Sequence, residues 1–237
     1  MEPTPAYSVR TSTRARYAHL TVSPRDGVVV VVPRRFDRSR IPELVASRAE
    51  WIRRAERRIA SERASIAADD SALPTSVALR AVGEEWCVEY ARTLHERVVA
   101  RPRPGAILSM SGAIDDEVAV ADALTRWLVA RTRADVVPWL LSLAAHHGAH
   151  VSGTSVRAQR SRWASCSSAG RVSLNRNVLF LPRELAEHVL LHEICHLREL
   201  SHSPRFWRLL ESADPATPTR RRELYQAWKY VPAWAQP

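Results

Sequence analysis

Two histidines and a glutamate in the last quarter of the chain have the spacing of a metal-binding motif. His192, Glu193 and His196 form the pattern HExxH within an apolar helical segment. Histidines four residues apart lie on one face of a helix, so both imidazoles can reach one ion. Zinc is the expected ion, because it binds neutral imidazole nitrogens in a tetrahedral shell. The glutamate is then placed beside the open position, where it can exchange a proton with water and with a leaving amine.

A catalytic zinc site needs a third protein ligand, and His202 is the main candidate. On a continuous helix, the six residues from His196 to His202 would rotate the side chain by roughly 240°, away from the ion. Ser203 and Pro204 are typical of the N-cap and first positions of a helix, so a new helix is predicted to begin just after His202. We therefore expect the chain to turn between residues 199 and 201 and to bring His202 back towards the metal.

Other residues near the motif have alternative interpretations. Glu211 and Glu223 lie downstream on predicted helices and are the alternative third ligands. Glu199 is interpreted as a solvated acid near the site. His188 lies one helical turn before His192, too far along the helix to bind the same ion, and is predicted either to pack in the core or to support the ligands without binding the ion.

The elements around this helix are predicted from periodicity and caps. The second half of the chain is predicted to be mainly helical, with helices over 115–130, 133–147 and 181–200, two more that begin at Ser203-Pro204 and Thr217-Pro218, and strands over 154–158 and 171–175. Residues 172–175 are predicted to offer a strand edge to an extended peptide.

Two further residues are predicted to contact substrate. Arg162 could stabilise an oxyanion or bind a peptide carboxylate, or it could instead hold the adjoining turn by hydrogen bonds. Asn175 could orient a ligand histidine. Phe206 and Trp207 follow the third ligand at helical spacing and are interpreted as core residues, and Cys195 as a small buried hydrophobe.

The first half of the chain is predicted to be mostly β-structure with one long helix. Asp26-Gly27 joins two β-branched segments and indicates a hairpin, and a second hairpin is predicted over 77–92. A helix is predicted over 40–68, with arginines and glutamates on its outer face. The predicted organisation is a β-rich region over 8–112 and a catalytic core over 113–230, which together form one α+β unit.

Composition excludes several classes of protein. The 237 residues are 46% apolar and 25% charged, as in folded globular proteins, and no apolar segment approaches the ~20 residues of a membrane span. No secretory signal is apparent, and three widely spaced cysteines are typical of reduced thiols, so we expect a cytoplasmic protein without a membrane partner. The net charge of +10 makes DNA a possible partner, although Lys229 is the only lysine and the excess of arginine is also typical of a proteome-wide bias.

Several segments resemble those of a known family. The sequences RWASCSSAGRVSLN, HEICHL and SHSPRFW, and the opening SVRTSTRARYAHLTVSPRDGVVVVVP, are similar to those of the YgjP-like zinc metallopeptidases, relatives of the SprT and WLM metalloproteases. The resemblance covers about residues 8–215. It implies a zincin-like core, a peptide or protein substrate, zinc held by His192, His196 and His202, and Glu193 as the catalytic acid/base.

The residues after the motif exclude one family of metallopeptidases, and the resemblance leaves other functions open. Glu199 stands where the metzincin pattern has glycine, and Met1 and Met110 are the only methionines, so no Met-turn can follow. SprT relatives act on DNA-bound proteins. The alternative functions are therefore a zinc-stabilised module that binds DNA or nucleoprotein, and a DNA-dependent protease.

Overall fold

The computed structural model describes residues 5–24, 26–66 and 69–236. The chain divides into two units, Met1–Ala67 and Ala68–Pro237. This division differs from the predicted boundary between residues 112 and 113. Residues of the predicted β-rich region, such as Leu79, Leu108 and Met110, are fully buried in the same hydrophobic core as the later helices, so the strands that contain them belong to the second unit.

The first unit is a three-stranded sheet with two helices. Strands β1 (Ser8–Ser12), β2 (His19–Ser23) and β3 (Gly27–Pro33) are arranged in the order β1-β3-β2, with β1 parallel and β2 antiparallel to the central strand. The five valines of β3 are all buried, as expected for the central strand of a covered sheet. The predicted long helix is two helices, α1 (Ile41–Ser47) and α2 (Ala49–Ser65), which pack Ile41, Val45 and Ile52 against β3.

The second unit contains two sheets. The first sheet has the order β4-β5-β7-β6 and consists of β4 (Ser76–Leu79), β5 (Glu84–Arg92), β6 (Val99–Arg103) and β7 (Ile107–Gly112). The second sheet has the order β8-β10-β9 and consists of β8 (Gly153–Arg157), β9 (Ala164–Cys166) and β10 (Arg171–Asn175). In this second sheet β10 is central, parallel to β8 and antiparallel to β9.

Five helices complete the second unit. They are α3 (Glu117–Arg131), α4 (Val137–His146), α5 (Arg183–His196), α6 (Pro204–Ala213) and α7 (Thr217–Gln226). A π-helical turn, Thr132–Val136, joins α3 to α4, so Pro138 starts a helix and does not interrupt one. Helix α7 begins at Thr217, as the sequence predicts, but its N-cap is Ala216, and the Thr217 hydroxyl donates to the carbonyl of Asp214 at 2.7 Å.

The observed architecture confirms the α+β class. In the part of the chain that the structure describes, no helix is both long and apolar enough to cross a bilayer.

Candidate metal centre

Helix α5 positions the HExxH residues. Its apolar side chains Leu185, Val189 and Leu190 are buried, which fixes the rotation of the helix in the core of the second unit. His192 and His196, one turn apart, therefore face the same way. Their Nε2 atoms are 3.1 Å apart.

The chain returns His202 to these two rings. Helix α5 ends at His196, so the change of direction begins earlier than predicted. Ser203 caps α6 by accepting the N–H of Phe206 at 3.3 Å, and Pro204 occupies the first turn, as the sequence predicts. The Nε2 atom of His202 lies 3.0 Å from that of His192.

The three nitrogen atoms are arranged to bind a cation. All three ligand atoms lie within 4.8 Å of one another. A neutral imidazole nitrogen has one in-plane bonding direction, occupied by a hydrogen or by a lone pair, so the Nε2 of His192 cannot form hydrogen bonds with both neighbours. A shared ion satisfies all three lone pairs. Ligand bonds of about 2.0–2.1 Å in a tetrahedral shell separate nitrogen atoms by about 3.3 Å, close to the spacing observed.

Contacts around the rings fix their orientation. The Nδ1–H of His196 donates to the backbone carbonyl of Glu199 at 3.0 Å, which leaves Nε2 free to bind an ion. Phe206 is fully buried, as predicted, with its ring centroid 4.5–4.9 Å from those of all three histidines. Trp207 stacks on His202 at 5.5 Å, and the guanidinium of Arg221 lies 3.8 Å from the centroid of Trp207.

The same environment disfavours the charged form of His192 and of His202. Burial, together with the neighbouring rings and the Arg221 charge, lowers the pKa of His192 to about 3. The pKa of His202 is lowered from its ordinary value by burial, by His196 and by Arg221. Neutral imidazole is the form that binds a metal.

Glu193 is buried next to the histidine cluster. Its side chain is 4% exposed, it accepts a hydrogen bond from the backbone N–H of Cys166, and its Oε2 atom has no hydrogen-bond partner among the described residues. Burial raises the pKa of Glu193 to about 7, although the positive charge of Arg162 and the Cys166 N–H oppose this shift. One carboxylate oxygen is thus held in place and the other is unpaired.

Strand β9 forms the edge beside this carboxylate. The backbone groups of residues 163, 165 and 167 face β10, as shown by the Asn175 N–H donating to the Trp163 carbonyl at 2.8 Å and the Ser167 N–H to the Arg171 carbonyl at 2.9 Å. The backbone groups of Ala164 and Cys166 therefore point away from the sheet. The prediction that residues 172–175 form the free edge is wrong, because β10 lies between β8 and β9.

The two predicted substrate residues have different positions. Arg162 is exposed, and its guanidinium is close enough for its charge to act on Glu193. Asn175 is fully buried and has no contact with a ligand histidine in the described structure. Its Nδ2 donates to the carbonyls of Gln159 and Arg162, each at 2.8 Å, and its Oδ1 accepts the N–H of Asn177 at 3.1 Å. Asn175 therefore holds the loop that carries Arg162 and is not available to contact substrate.

The remaining candidates lie outside the cluster. Neither Glu211 nor Glu223 joins the three histidines in the described part of the chain, and both are exposed. His188 is buried and bonded to Asp214, which also pairs with Arg220 at 2.9 Å. This matches its interpretation as a packing residue. Cys195 is buried, and burial raises the pKa of its thiol to about 11.

The wall of the cleft consists of residues that no sequence motif marks. A cavity of about 190 Å³ adjoins the histidine cluster and is lined by Trp163, Ala164, Val189, His192, Glu193 and Leu224. Trp163 immediately precedes β9, whereas Leu224 belongs to α7, far along the chain, so no local pattern connects them. The cap-like Thr217-Pro218 pair was the one local signal that a helix follows the site.

A helix that carries HExxH with its glutamate buried, together with a third imidazole after the end of that helix, defines the site of a metal-dependent peptidase. The family model described as YgjP-like, metallopeptidase domain, matches residues 16–227. The match spans nearly the whole chain, so the chain belongs to the YgjP-like metallopeptidases. No curated protein matches it. Among solved structures, the chain is similar to the crystal structure of the metallopeptidase zymogen of Pyrococcus abyssi abylysin, with 30% identity, a TM-score of 0.33, and coverage of 37% of this chain and 87% of that one.

Proposed function

We propose that this metallopeptidase uses zinc, bound by His192, His196 and His202, and Glu193 as general base to hydrolyse peptide bonds. The observation that supports the proposal is the convergence of three imidazole Nε2 atoms beside a buried carboxylate with one unpaired oxygen. Three protein ligands are typical of catalytic zinc sites, whereas structural sites usually have four.

The donor set fits zinc in its chemistry. Three neutral imidazoles suit a borderline-soft ion and are a poor set for magnesium or calcium, which prefer oxygen ligands. When bound, zinc would polarise the substrate carbonyl and lower the pKa of water.

Glu193 would accept and then donate the proton that is transferred in the reaction. Its Oε2 atom, which has no partner among the described residues, would accept a proton from the attacking water. The same oxygen would then return that proton to the amine that leaves. The N–H of Cys166 holds the carboxylate during both transfers.

Strand β9 is proposed to hold the substrate in an extended conformation. The N–H and C=O of Ala164 point away from β10 and into the cleft region, where they can pair with the main chain of a peptide. Such pairing recognises the peptide backbone itself and so is compatible with a peptide or protein substrate of varied sequence.

The test of this function separates metal binding from catalysis. Glu193→Gln is expected to retain zinc at the wild-type ratio, measured by elemental analysis, and to lose at least 100-fold in hydrolysis of an unfolded protein. Glu184→Gln, an exposed position in the first turn of the same helix, is the matched control and should behave as wild type. Unchanged turnover in zinc-loaded Glu193→Gln would exclude the general-base role.

The distribution of charge favours nucleic acid as a second candidate partner. Residues 1–67 contain 14 arginines and seven acidic residues and so account for +7 of the net charge of +10. Arg54 and Arg57 are exposed on α2. If this surface binds DNA, retention should fall steeply as salt rises, and the double change Arg54→Gln with Arg57→Gln should reduce the slope by about two. Arg101→Gln with Arg133→Gln, two exposed positions of the second unit, is the control.

The salt series also distinguishes the alternative functions. A DNA-dependent protease would show retention and faster cleavage when DNA is added. A binding module would show retention without cleavage, and a peptidase that does not use DNA would show cleavage that DNA leaves unchanged.

A further inference from the structure

An open groove runs beside strand β2 of the first unit. It consists of two adjoining cavities of about 360 and 230 Å³, whose linings share Ala18 and Leu44. Residues in and next to β2 form one side of the groove, and α1 with the start of α2 forms the other. The described lining lies within residues 18–51, so the groove is separate from the three histidines of the metal centre.

The β2 side of the groove has a free strand edge. Because the strand order is β1-β3-β2, β2 pairs with β3 on one side and with no strand of the described structure on the other. Every second residue of an antiparallel strand directs its N–H and C=O towards its neighbour, and the residues between direct theirs to the open side. An extended segment of another chain can pair with these groups and become a fourth strand.

The floor of the groove is apolar and incompletely covered. Leu20, Phe36 and Leu44 pack on the buried cluster of β3, α1 and α2, and each keeps part of its side chain accessible. Trp51, which lines the smaller cavity, is 43% exposed. An apolar side chain that enters the groove therefore removes apolar surface of both partners from water, which favours binding.

The helical side carries a row of three residues whose spacing matches an extended peptide. Arg40, Leu44 and Arg48 follow one another at intervals of four residues in α1 and its two flanking positions, and all three line the groove. A rise of 1.5 Å per residue places neighbours in this row about 6 Å apart. Alternate residues of a strand lie about 6.8 Å apart and share one face. Three alternate residues of a bound strand can thus face this row in turn.

The charges in the row determine which side chains fit. Arg40 and Arg48 are exposed, and Glu43 is the one acidic residue in the described lining of the groove. Residues 1–67 as a whole carry a net charge of +7. Carboxylates therefore complement the two ends of the row, and an apolar side chain complements Leu44 in the middle. A nucleic acid would be attracted by the same charge, but its phosphates match neither Leu44 nor the peptide groups of β2.

We infer that this groove binds an extended segment of a partner protein in which acidic residues at positions 1 and 5 flank an apolar residue at position 3. The segment adds to β2 as a strand, and its odd-numbered side chains face α1. This pattern is the same in both chain directions, so it fits parallel or antiparallel addition. Peptide recognition in the first unit is independent of the proposed function of the metal centre.

The first experiment compares two peptides of identical composition and charge. One has aspartate at positions 1 and 5, leucine at position 3 and threonine at positions 2 and 4. The other exchanges the aspartates with the threonines, which moves both carboxylates to the opposite face of a strand. Fluorescence anisotropy of labelled peptides with full-length Glu193→Gln, chosen to prevent turnover, is expected to show at least tenfold tighter binding of the first peptide. Equal affinities would overturn the inference.

Replacement of the row should reduce this binding, whereas loss of the same charge elsewhere should not. Arg40→Glu with Arg48→Glu is expected to weaken binding of the first peptide at least tenfold, and Leu44→Ala at least threefold. Arg54→Glu with Arg57→Glu is the matched control, because these exposed positions on α2 are outside the described lining. It should stay within about twofold of the parent protein. Equal losses in the two double variants would reduce the effect to general attraction and contradict the inference.

A charge exchange verifies that the double variant still folds. A peptide with lysine in place of both aspartates should bind Arg40→Glu with Arg48→Glu at least fivefold tighter than it binds the parent protein. Unfolding temperature provides a second measure of folding. A folded double variant that binds both peptides as the parent does would exclude a role for these arginines.

Methylation of single peptide nitrogens tests strand addition. A methyl group on an N–H that pairs with β2 removes a hydrogen bond and blocks close approach, whereas a methyl group on the outward N–H groups does neither. Affinity should therefore fall at every second position of the peptide. Uniform affinity across all positions would show that the peptide does not pair with β2.

Two further measurements exclude other binding places and partners. His202→Ala, which removes a proposed metal ligand, should bind the first peptide as tightly as the parent protein; a large loss would place the peptide at the metal centre and refute the inference. A single-stranded oligonucleotide provides the other comparison. If its binding depends on Arg40 and Arg48 while neither peptide binds, the groove is a nucleic-acid surface and the inference is wrong.

Discussion

Replacement of Asn175 by alanine tests how the cleft wall is held. The side chain is fully buried and forms three hydrogen bonds, two to loop carbonyls at 2.8 Å and one from the Asn177 N–H at 3.1 Å. The bond from the Asn177 N–H is also the N-cap of the short 3-10 helix Arg176–Phe180. The change removes all three partners at once and adds no steric conflict, so it isolates the contribution of these bonds.

The expected loss of stability follows from the number of bonds. Each neutral hydrogen bond contributes about 1 kcal/mol, and a buried group left without a partner adds to the cost. Three bonds therefore give a decrease of about 3 kcal/mol in the free energy of unfolding. Asn175→Asp should be no better at neutral pH, because it places a carboxylate against the carbonyls of Gln159 and Arg162.

The assay is urea unfolding of metal-free protein, since bound zinc would add its own binding free energy to the result. Tryptophan fluorescence is a suitable signal because seven of the eight tryptophans lie in residues 68–237. Gln159→Ala is the control. It removes the bond from Nε2 to the Ser173 hydroxyl at 3.0 Å and the long bond from Nε2 to the Ser173 carbonyl at 3.5 Å, and it keeps the carbonyl that Asn175 uses. It should cost about 1 kcal/mol or less.

Asn175→Ala should lower kcat/KM without a large change in zinc affinity. Zinc affinity should stay within a few fold of wild type, because the histidines are held by α5 and α6. The value of kcat/KM should fall, since Trp163 and the Arg162 loop lose their support. A loss of stability below about 0.5 kcal/mol, or a large loss of zinc affinity with an intact loop, would refute the reasoning.

Three further predictions concern the ligand set, its support and acid stability. His202→Ala is expected to weaken zinc binding at least 100-fold, as measured by competition with a chelating dye, because one of three ligands is removed. Phe206→Ala should destabilise the fold by about 3–5 kcal/mol in chemical unfolding and weaken zinc binding, since the ring is fully buried against all three imidazoles. Burial raises the pKa of Asp69, but hydrogen bonds from Ser71 and Thr75 outweigh it and lower the pKa to about 2. The stability that Asp69 contributes is then present above about pH 4 and lost as the pH falls towards 2. The difference in the free energy of unfolding between wild type and Asp69→Asn should therefore shrink across that range in chemical unfolding.

The ligand cluster could be predicted because its signals are local. The i,i+4 spacing of His192 and His196 fixes their common face whatever the rest of the fold does. The Ser203-Pro204 pair starts a new helix, and this start requires His202 to lie off the axis of α5. The structure differs only in the point at which the chain turns, because the helix stops at His196.

The sheet edge and the unit boundary could not be predicted from local patterns. Strand β9 has three residues, Ala164–Cys166, in a serine-rich segment, and is too short to show an alternating pattern. If β9 is not recognised, the sequence offers no partner for β10 on that side, and β10 is predicted to lie at the edge of the sheet. The predicted boundary lies where the strands give way to helices. The observed units depend instead on burial, because Met110 of β7 and Leu124 of α3 share one core.

Asn175 shows how a correct position can suggest a wrong role. Its place at the end of a strand beside the site was predicted, and a polar residue there was interpreted as a contact to a histidine or to substrate. A buried asparagine, however, must use its donors and acceptor wherever the fold offers partners. Here the partners are two loop carbonyls and one N–H, and their positions depend on the path of residues 159–162, which no spacing rule fixes.

The same contrast indicates that the metal donors and the cleft wall are encoded separately in this chain. The three imidazoles and Glu193 come from one helix and the turn that follows it, so a change elsewhere can leave the donor set intact. The apolar wall combines β9 with α7, whose residues Ala164 and Leu224 bind no metal in the described arrangement. Substitutions of Ala164 or Leu224 are therefore expected to leave the three imidazoles in place, and retained zinc binding in such variants would check this separation.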